Sequence, residues 1–238
     1  KFFNTKKFDY YDKYIPVNAR VYDRSRIEKK LKISEKYITF VDTNLEHETK
    51  IEYEGRFSKK HVKKYYYRLN RYLKNLETTF KKKVIVCAHP NPKYKLSESK
   101  AYFKNFKVVK FKTEYYVRNA FIYVALSSSI TVDAIFLKKK IICLDSVLMG
   151  KHHSDANRIY PRAAGVLLQN FDNDLIIDKK KLINDLNRRI KGYNNYIKSK
   201  IVVDGKNIGV KKICDILKKK IFYSLKVKII ISDEKKLF

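Results

Sequence analysis

Residues Phe121 to Asp145 read FIYVALSSSITVDAIFLKKKIICLD. An apolar run, Phe121 to Leu126, stops at Ser127, Ser128 and Ser129. A short amphipathic segment follows through Leu137, and a second apolar run fills Ile141 to Leu144. That order predicts strand, tight turn, helix, strand: one βαβ unit of a parallel sheet. The serines fall where sheet gives way to helix, and backbone N–H groups and the helix dipole there favour an anion, a phosphate above all. Serine also caps helices with no ligand at all, so alone the turn is a generic anion seat.

Working outward, Tyr37 to Leu45 (YITFVDTNL) predicts a strand rich in β-branched and aromatic residues. The polar stretch Glu46 to Phe57, with Glu52, Glu54 and Gly55, reads as a solvated loop. Ser58 predicts an N-cap for a helix over Lys59 to Phe80, whose apolar positions Val62, Tyr65, Tyr66, Leu69, Tyr72, Leu73 and Leu76 recur at threes and fours. Lys83 to Ala88 is a short strand, apolar as expected when both faces are covered, and His89-Pro90 halts it. A third strand is expected over Lys107 to Phe111, then a short helix capped by Thr113 and running to about Asn119. After Leu144 the stretch DSVLMGKHHSDAN reads as a loop with paired histidines, His152 and His153. A short strand is expected over Ala163 to Leu168, a helix capped by Asp178 through Ile190, and a last helix over Ile208 to Ile221. Arg24 to Lys32 has the makings of a short helix in an otherwise irregular leader.

Strands and helices thus alternate. The expected fold is α/β, a doubly wound parallel (Rossmann-like) sheet with helices on both faces. The expected division is a linker over residues 1–36, a nucleotide-binding domain over 37–221 and a basic tail over 222–238. In such sheets ligands bind beyond the carboxyl ends of the strands, where His89 and Ser127 both sit.

The chain of 238 residues carries 55 basic and 24 acidic residues, a net charge of +31. Compositional bias, attraction to an anionic membrane and nucleic-acid binding compete as explanations. Lysine outnumbers arginine, and no RNP, KH or zinc-finger signature appears, so nucleic acid ranks last. Each lysine near an anionic bilayer contributes about 1 kcal/mol. No apolar run approaches the ~20 residues of a membrane span. The chain begins at Lys1, which leads to the expectation that it starts inside a longer protein. Cys87, Cys143 and Cys214 lie in apolar runs without CxxC spacing, which predicts buried thiols in a reducing cytoplasm and no metal site.

Each site candidate has a plain structural alternative. His89 can donate to a phosphate oxygen, with Pro90 stiffening the turn that aims it, or it can be a turn histidine. Lys110, Lys112 and Thr113, at the end of the third strand, are placed to meet a nucleotide's base or ribose. Asp133, one turn past the serines, suits the helix dipole. His152 and His153 read as loop residues, with no Asp or Glu at metal-ligand spacing.

The combination of strand–His89-Pro90, spacer, strand–Ser127-Ser128-Ser129–helix and KKKIICLD (Lys138 to Asp145) resembles the C-terminal, nucleotide-binding half of a GT-B glycosyltransferase. The nearest likeness is to bacterial enzymes of capsule and lipopolysaccharide synthesis, including the sialyltransferases with HP and SS motifs. The resemblance spans Tyr37 to Asp145. It implies that His89 with Pro90, and Ser127 and Ser128 with Ser129 beside them, grip the phosphate of a sugar nucleotide. It implies no metal cofactor, and no DxD-type cluster is present. It also implies an N-terminal Rossmann-like half that binds acceptor and supplies the catalytic base. There is no room for one before Tyr37, and Tyr53-Glu54-Gly55 does not match that half's acidic-acidic-Gly motif. The expectation is therefore the donor half of a larger enzyme.

The expected function is transfer of a sugar from a nucleotide-activated donor to a surface polysaccharide or lipid-linked glycan, in the cytoplasm, peripheral to the anionic inner face of the plasma membrane. The alternatives are a CDP-polyol phosphotransferase on the same scaffold, a non-catalytic basic module binding nucleic acid or anionic lipid, and a degenerate regulatory half-enzyme. A UDP-sugar 2-epimerase is disfavoured because its acidic residues are missing.

Overall fold

The computed structural model describes residues 19, 21–23, 34–43, 45, 58–91, 94–173, 176–202, 214–215 and 218. The chain divides into two compact units, residues 1–29 with 198–238, and residues 30–197. In the first, the Ala19 N–H donates to the Ile201 carbonyl at 2.9 Å. The expected helices over Arg24 to Lys32 and Ile208 to Ile221, the loop Glu46 to Phe57 and the tail lie outside the described residues, save single positions.

The second unit is α/β. Among its described residues are six strands, β1 (Tyr37–Val41), β2 (Val84–Cys87), β3 (Lys107–Val109), β4 (Ala120–Ala125), β5 (Lys140–Asp145) and β6 (Leu167–Asn170). All pair in parallel in the order β3-β2-β1-β4-β5-β6, the Rossmann-like arrangement in which strand order reverses between β1 and β4. Among the described residues the α-helices of this unit are α1 (Lys59–Phe80), α2 (Leu96–Tyr102), α3 (Thr113–Arg118), α4 (Thr131–Phe136), α5 (Gly150–Asn157), α6 (Ile159–Ala164) and α7 (Lys179–Tyr196).

Alternation along the strands splits the core in two. Ile38, Phe40, Val84, Val86, Ile122, Val124, Ile142 and Leu144 form one cluster with the buried stripe of α1 (Val62, Tyr65, Tyr66, Leu69, Leu73, Leu76). The opposite face meets α3 and α4. There Thr39 Oγ1 donates to the Tyr116 carbonyl at 2.9 Å, and the Tyr123 hydroxyl lies 3.0 Å from Thr131 Oγ1. Helices therefore cover both faces.

The N-cap of α1 is the expected Ser58, whose hydroxyl accepts the His61 N–H at 3.2 Å. Its C-cap is Lys81 in the left-handed region at φ 50°. Several expectations change. β1 ends at Val41, not Leu45, and β3 at Val109, because Phe111 turns into the left-handed region at φ 62°. The stretch read as the His152–His153 loop is a 3₁₀ turn (Val147–Met149) followed by α5. Of the strand expected over Ala163 to Leu168, residues 163–164 instead end the helix α6, and only 167–168 are strand, as the start of β6. Gly165, at φ 71°, closes α6 by donating its N–H to the Pro161 carbonyl, and β6 starts two residues later. Pro161 sits in the first turn of α6, where its missing N–H would have had no partner in any case. Of the three cysteines, Cys87 and Cys143 are buried, but Cys214 is exposed, contrary to expectation.

Candidate functional site

Parallel register sets the geometry at the carboxyl edge of the sheet. Val41 pairs with Cys87 on one side and Ala125 on the other. Thr43, His89 and Ser127 each follow the last paired residue of their strand by two positions. The ends of β2 and β4, which lead into His89 and Ser127, therefore lie at one height on either side of the end of β1, neighbouring strands being about 4.8 Å apart. This is also where strand order reverses, the crevice in which open α/β sheets bind ligands.

His89 is half-buried. Its Nδ1 accepts the Asn91 N–H at 3.1 Å, and its ring lies 5.3 Å from that of Tyr94. An accepting Nδ1 requires the neutral tautomer with its proton on Nε2, which makes Nε2–H the donor available to a ligand. Burial lowers the His89 pKa, and the nearby Lys110 ammonium lowers it further. Lys110 is the brace of this loop. Its Nζ donates to the Asn91 carbonyl at 2.9 Å and to the Tyr94 carbonyl, and lies 5.0 Å from the Phe111 ring centroid. Pro90 is exposed at the turn.

A linkage prediction follows from that arrangement. With its folded pKa below the unfolded value of about 6.5, His89 contributes stability in full above that value, and the contribution is lost as pH falls through the folded pKa. An imidazole NMR titration is expected to give a midpoint below 6.5. Lys110→Met is expected to move it part of the way back, since burial remains. A midpoint unchanged by Lys110→Met contradicts the electrostatic role given to that lysine.

Thr113 does not cap α3. Lys112 occupies that position without a side-chain cap bond, and the Thr113 hydroxyl bonds the Cys87 thiol, two residues below His89. Burial pushes that thiol up to about 12, with the Thr113 bond pulling the other way. Lys112 is exposed, its carbonyl taking the Tyr116 N–H at 3.2 Å. Thr113 thus belongs beneath the His89 loop, and Lys112 lies outside it.

The three serines form a bend and turn ahead of α4, which is only six residues long, so the dipole contribution expected there is small. The Ser128 and Ser129 carbonyls accept the N–H groups of Thr131 and Val132, each at 3.1 Å. Ser128 also hydrogen-bonds Tyr123, whose phenol burial pushes well up while bonds to Thr131 and Ser128 oppose the rise. Ser128 is thereby a brace, and Ser127 (half-buried) and Ser129 (exposed) are the outward members. Asp133 lies in the first turn of α4, and His153 is buried in α5.

The sequence reading missed the polar frame beside this edge. Asp145, closing β5, accepts from Arg158 NH2 at 2.9 Å, Ser154 Oγ at 3.0 Å and the Ser146 N–H at 2.9 Å. Asp172, just past β6, accepts from Arg68 at 3.1 Å, the Val147 N–H at 2.8 Å and the Ser146 hydroxyl. Burial raises the Asp172 pKa, but the hydrogen bonds from Ser146, Val147, Asn170 and Arg68 outweigh it and hold the carboxyl below the usual range. The Asp172 bonds to Arg68, Ser146 and Val147 join parts of the chain 25 to 104 residues apart, so no local pattern announced them.

Two concavities lie away from this edge. One of about 990 Å³ runs between β6 and α7, and one of about 450 Å³ is lined by Lys64, Tyr67, Arg68 and Arg71 of α1 beside Asp172. Neither contains a residue of the His89–Ser127 edge. No family model matches the chain, and no curated protein matches it.

Proposed function

We propose that the chain is the donor-binding half of a glycosyltransferase that moves a sugar from a nucleotide-activated donor to a surface polysaccharide or lipid-linked glycan. The observation that carries this is the strand order, which sets β2 and β4, the strands that lead into His89 and Ser127, on either side of β1 at the reversal, where a sheet of this topology receives a nucleotide. As the sugar departs, negative charge grows on the leaving phosphate. The Nε2–H of neutral His89 and the Ser127 and Ser129 hydroxyls meet that charge as fixed donors. One such positioned donor contributes about 3 kcal/mol, roughly a hundredfold in rate. Lys110 and Ser128 act through the loops they brace, and the group that activates the acceptor is not among these residues. The exposed lysines 59, 60, 63, 64, 81 and 83 around α1 support an anionic inner-membrane surface as the second partner.

The test is calorimetric titration with CMP, UDP, GDP and CDP. One nucleotide is expected to bind, and a His89→Ala, Ser127→Ala double variant is expected to bind it at least a hundredfold more weakly. If no nucleotide binds the wild type, or the double variant binds equally well, the proposal fails. A non-catalytic basic module instead gives steep salt dependence towards any polyanion and tolerates the double substitution.

A further inference from the structure

Thr43 is the residue at the candidate site that the fold leaves without an internal use. It is 6% exposed, yet its Oγ1 is buried without a hydrogen-bond partner among the described residues. Buried hydroxyls are nearly always paired, so an orphan of this kind calls for an explanation outside the chain. Its position supplies one. The pairing of β1 with β2 persists past the strand, the Asp42 N–H donating to the Cys87 carbonyl at 3.0 Å. Thr43 thus follows directly on the paired end of β1. Thr39 in β1 spends its hydroxyl on the Tyr116 carbonyl; Thr43, buried just past the end of β1, has no such partner among the described residues. β1, which Thr43 follows, lies between β2, leading to His89, and β4, leading to Ser127, where the strand order reverses.

We propose that the Thr43 hydroxyl is the innermost hydrogen-bond donor to the nucleotide phosphate, completing a row of three with His89 Nε2–H and the Ser127 hydroxyl. This rests on the donor-site reading given above. A phosphoryl oxygen suits the position because the flanking groups are both donors, and an anion accepts from all three at once. Empty, the site holds a buried hydroxyl with no partner. Occupied, it satisfies that hydroxyl, so the residue is kept for binding at the expense of the unliganded fold.

The opposed effects on binding and stability make the assignment testable with two near-isosteric variants. Thr43→Val removes the hydroxyl and keeps the volume; Thr43→Ser keeps the hydroxyl. With whichever of CMP, UDP, GDP and CDP the wild type binds, Thr43→Val is expected to lose ten- to a hundredfold in affinity while its thermal midpoint without nucleotide stays equal or rises. Thr43→Ser is expected to stay within a few-fold of wild type. Wild-type affinity in Thr43→Val overturns the assignment alone and leaves the donor-site reading standing. A lowered midpoint in Thr43→Val overturns it too, because the hydroxyl then serves the fold. A wild type that binds none of the four nucleotides removes both.

Discussion

Replacing Phe40 with alanine is expected to destabilise the folded unit by about 3–5 kcal/mol, read as a lower urea midpoint at an unchanged slope. Phe40 is fully buried at the centre of the sheet, level with Val86 of β2 and Val124 of β4. Its ring lies 5.8 Å from that of Phe103, which meets Tyr66 of α1 edge-on at 5.4 Å. The truncation therefore opens a cavity where three strands, α1 and the end of α2 converge, and close packing there leaves little scope for collapse. Phe40 lies three residues before Thr43, so the same variant is expected to weaken nucleotide binding by loosening the end of β1. A loss below about 1 kcal/mol contradicts the packing described.

Asp172→Ala is expected to cost about 3 kcal/mol at pH 7, towards the lower end for breaking a buried pair because Arg68 retains access to water. The substitution strips the acceptor from Arg68, from Ser146 Oγ and from the Val147 N–H together. Ser146 is buried, and its hydroxyl also accepts the Leu148 N–H at 3.1 Å, while His61 Nε2 lies 2.6 Å from the Leu148 carbonyl. Losing Asp172 thus loosens a chain of bonds running from α1 through residues 145–148 to the end of β6. The pH dependence has a definite sign. The folded carboxyl is held below its unfolded value of about 3.9, so the stabilisation is complete above that value and lost as pH falls through the folded pKa. Asp172→Asn, similar in shape but not titrating, is expected to flatten that acid limb in urea melts. An acid limb as steep as the wild type's contradicts the assignment.

What the sequence disclosed follows the range of the forces involved. α1 was legible to its cap, since Ser58 and a heptad-like apolar stripe are local signals. β2, β4 and β5 were legible to within a residue, since a strand covered on both faces must be a continuous apolar run. α5 was not. GKHHSDAN has no apolar period, and it is tied down by Ser154 and by Arg158, just past its end, reaching back to Asp145. Thr113 was misassigned for a related reason: as a cap it was locally plausible, but Cys87 of another strand claimed its hydroxyl. At the candidate site, His89 and Ser127 could each be read as strand ends. That they flank β1 depends on strand order, a tertiary property, and Thr43 became visible only when β1 was found between them.

Amide hydrogen exchange with and without the bound nucleotide tests the central claim most directly. The account predicts protection concentrated at residues 42–43, 88–91 and 126–131, the ends of β1, β2 and β4 with their turns, and little change in α7 or β6. Protection falling instead along the groove between β6 and α7, or on the Lys64–Arg71 face of α1, contradicts it.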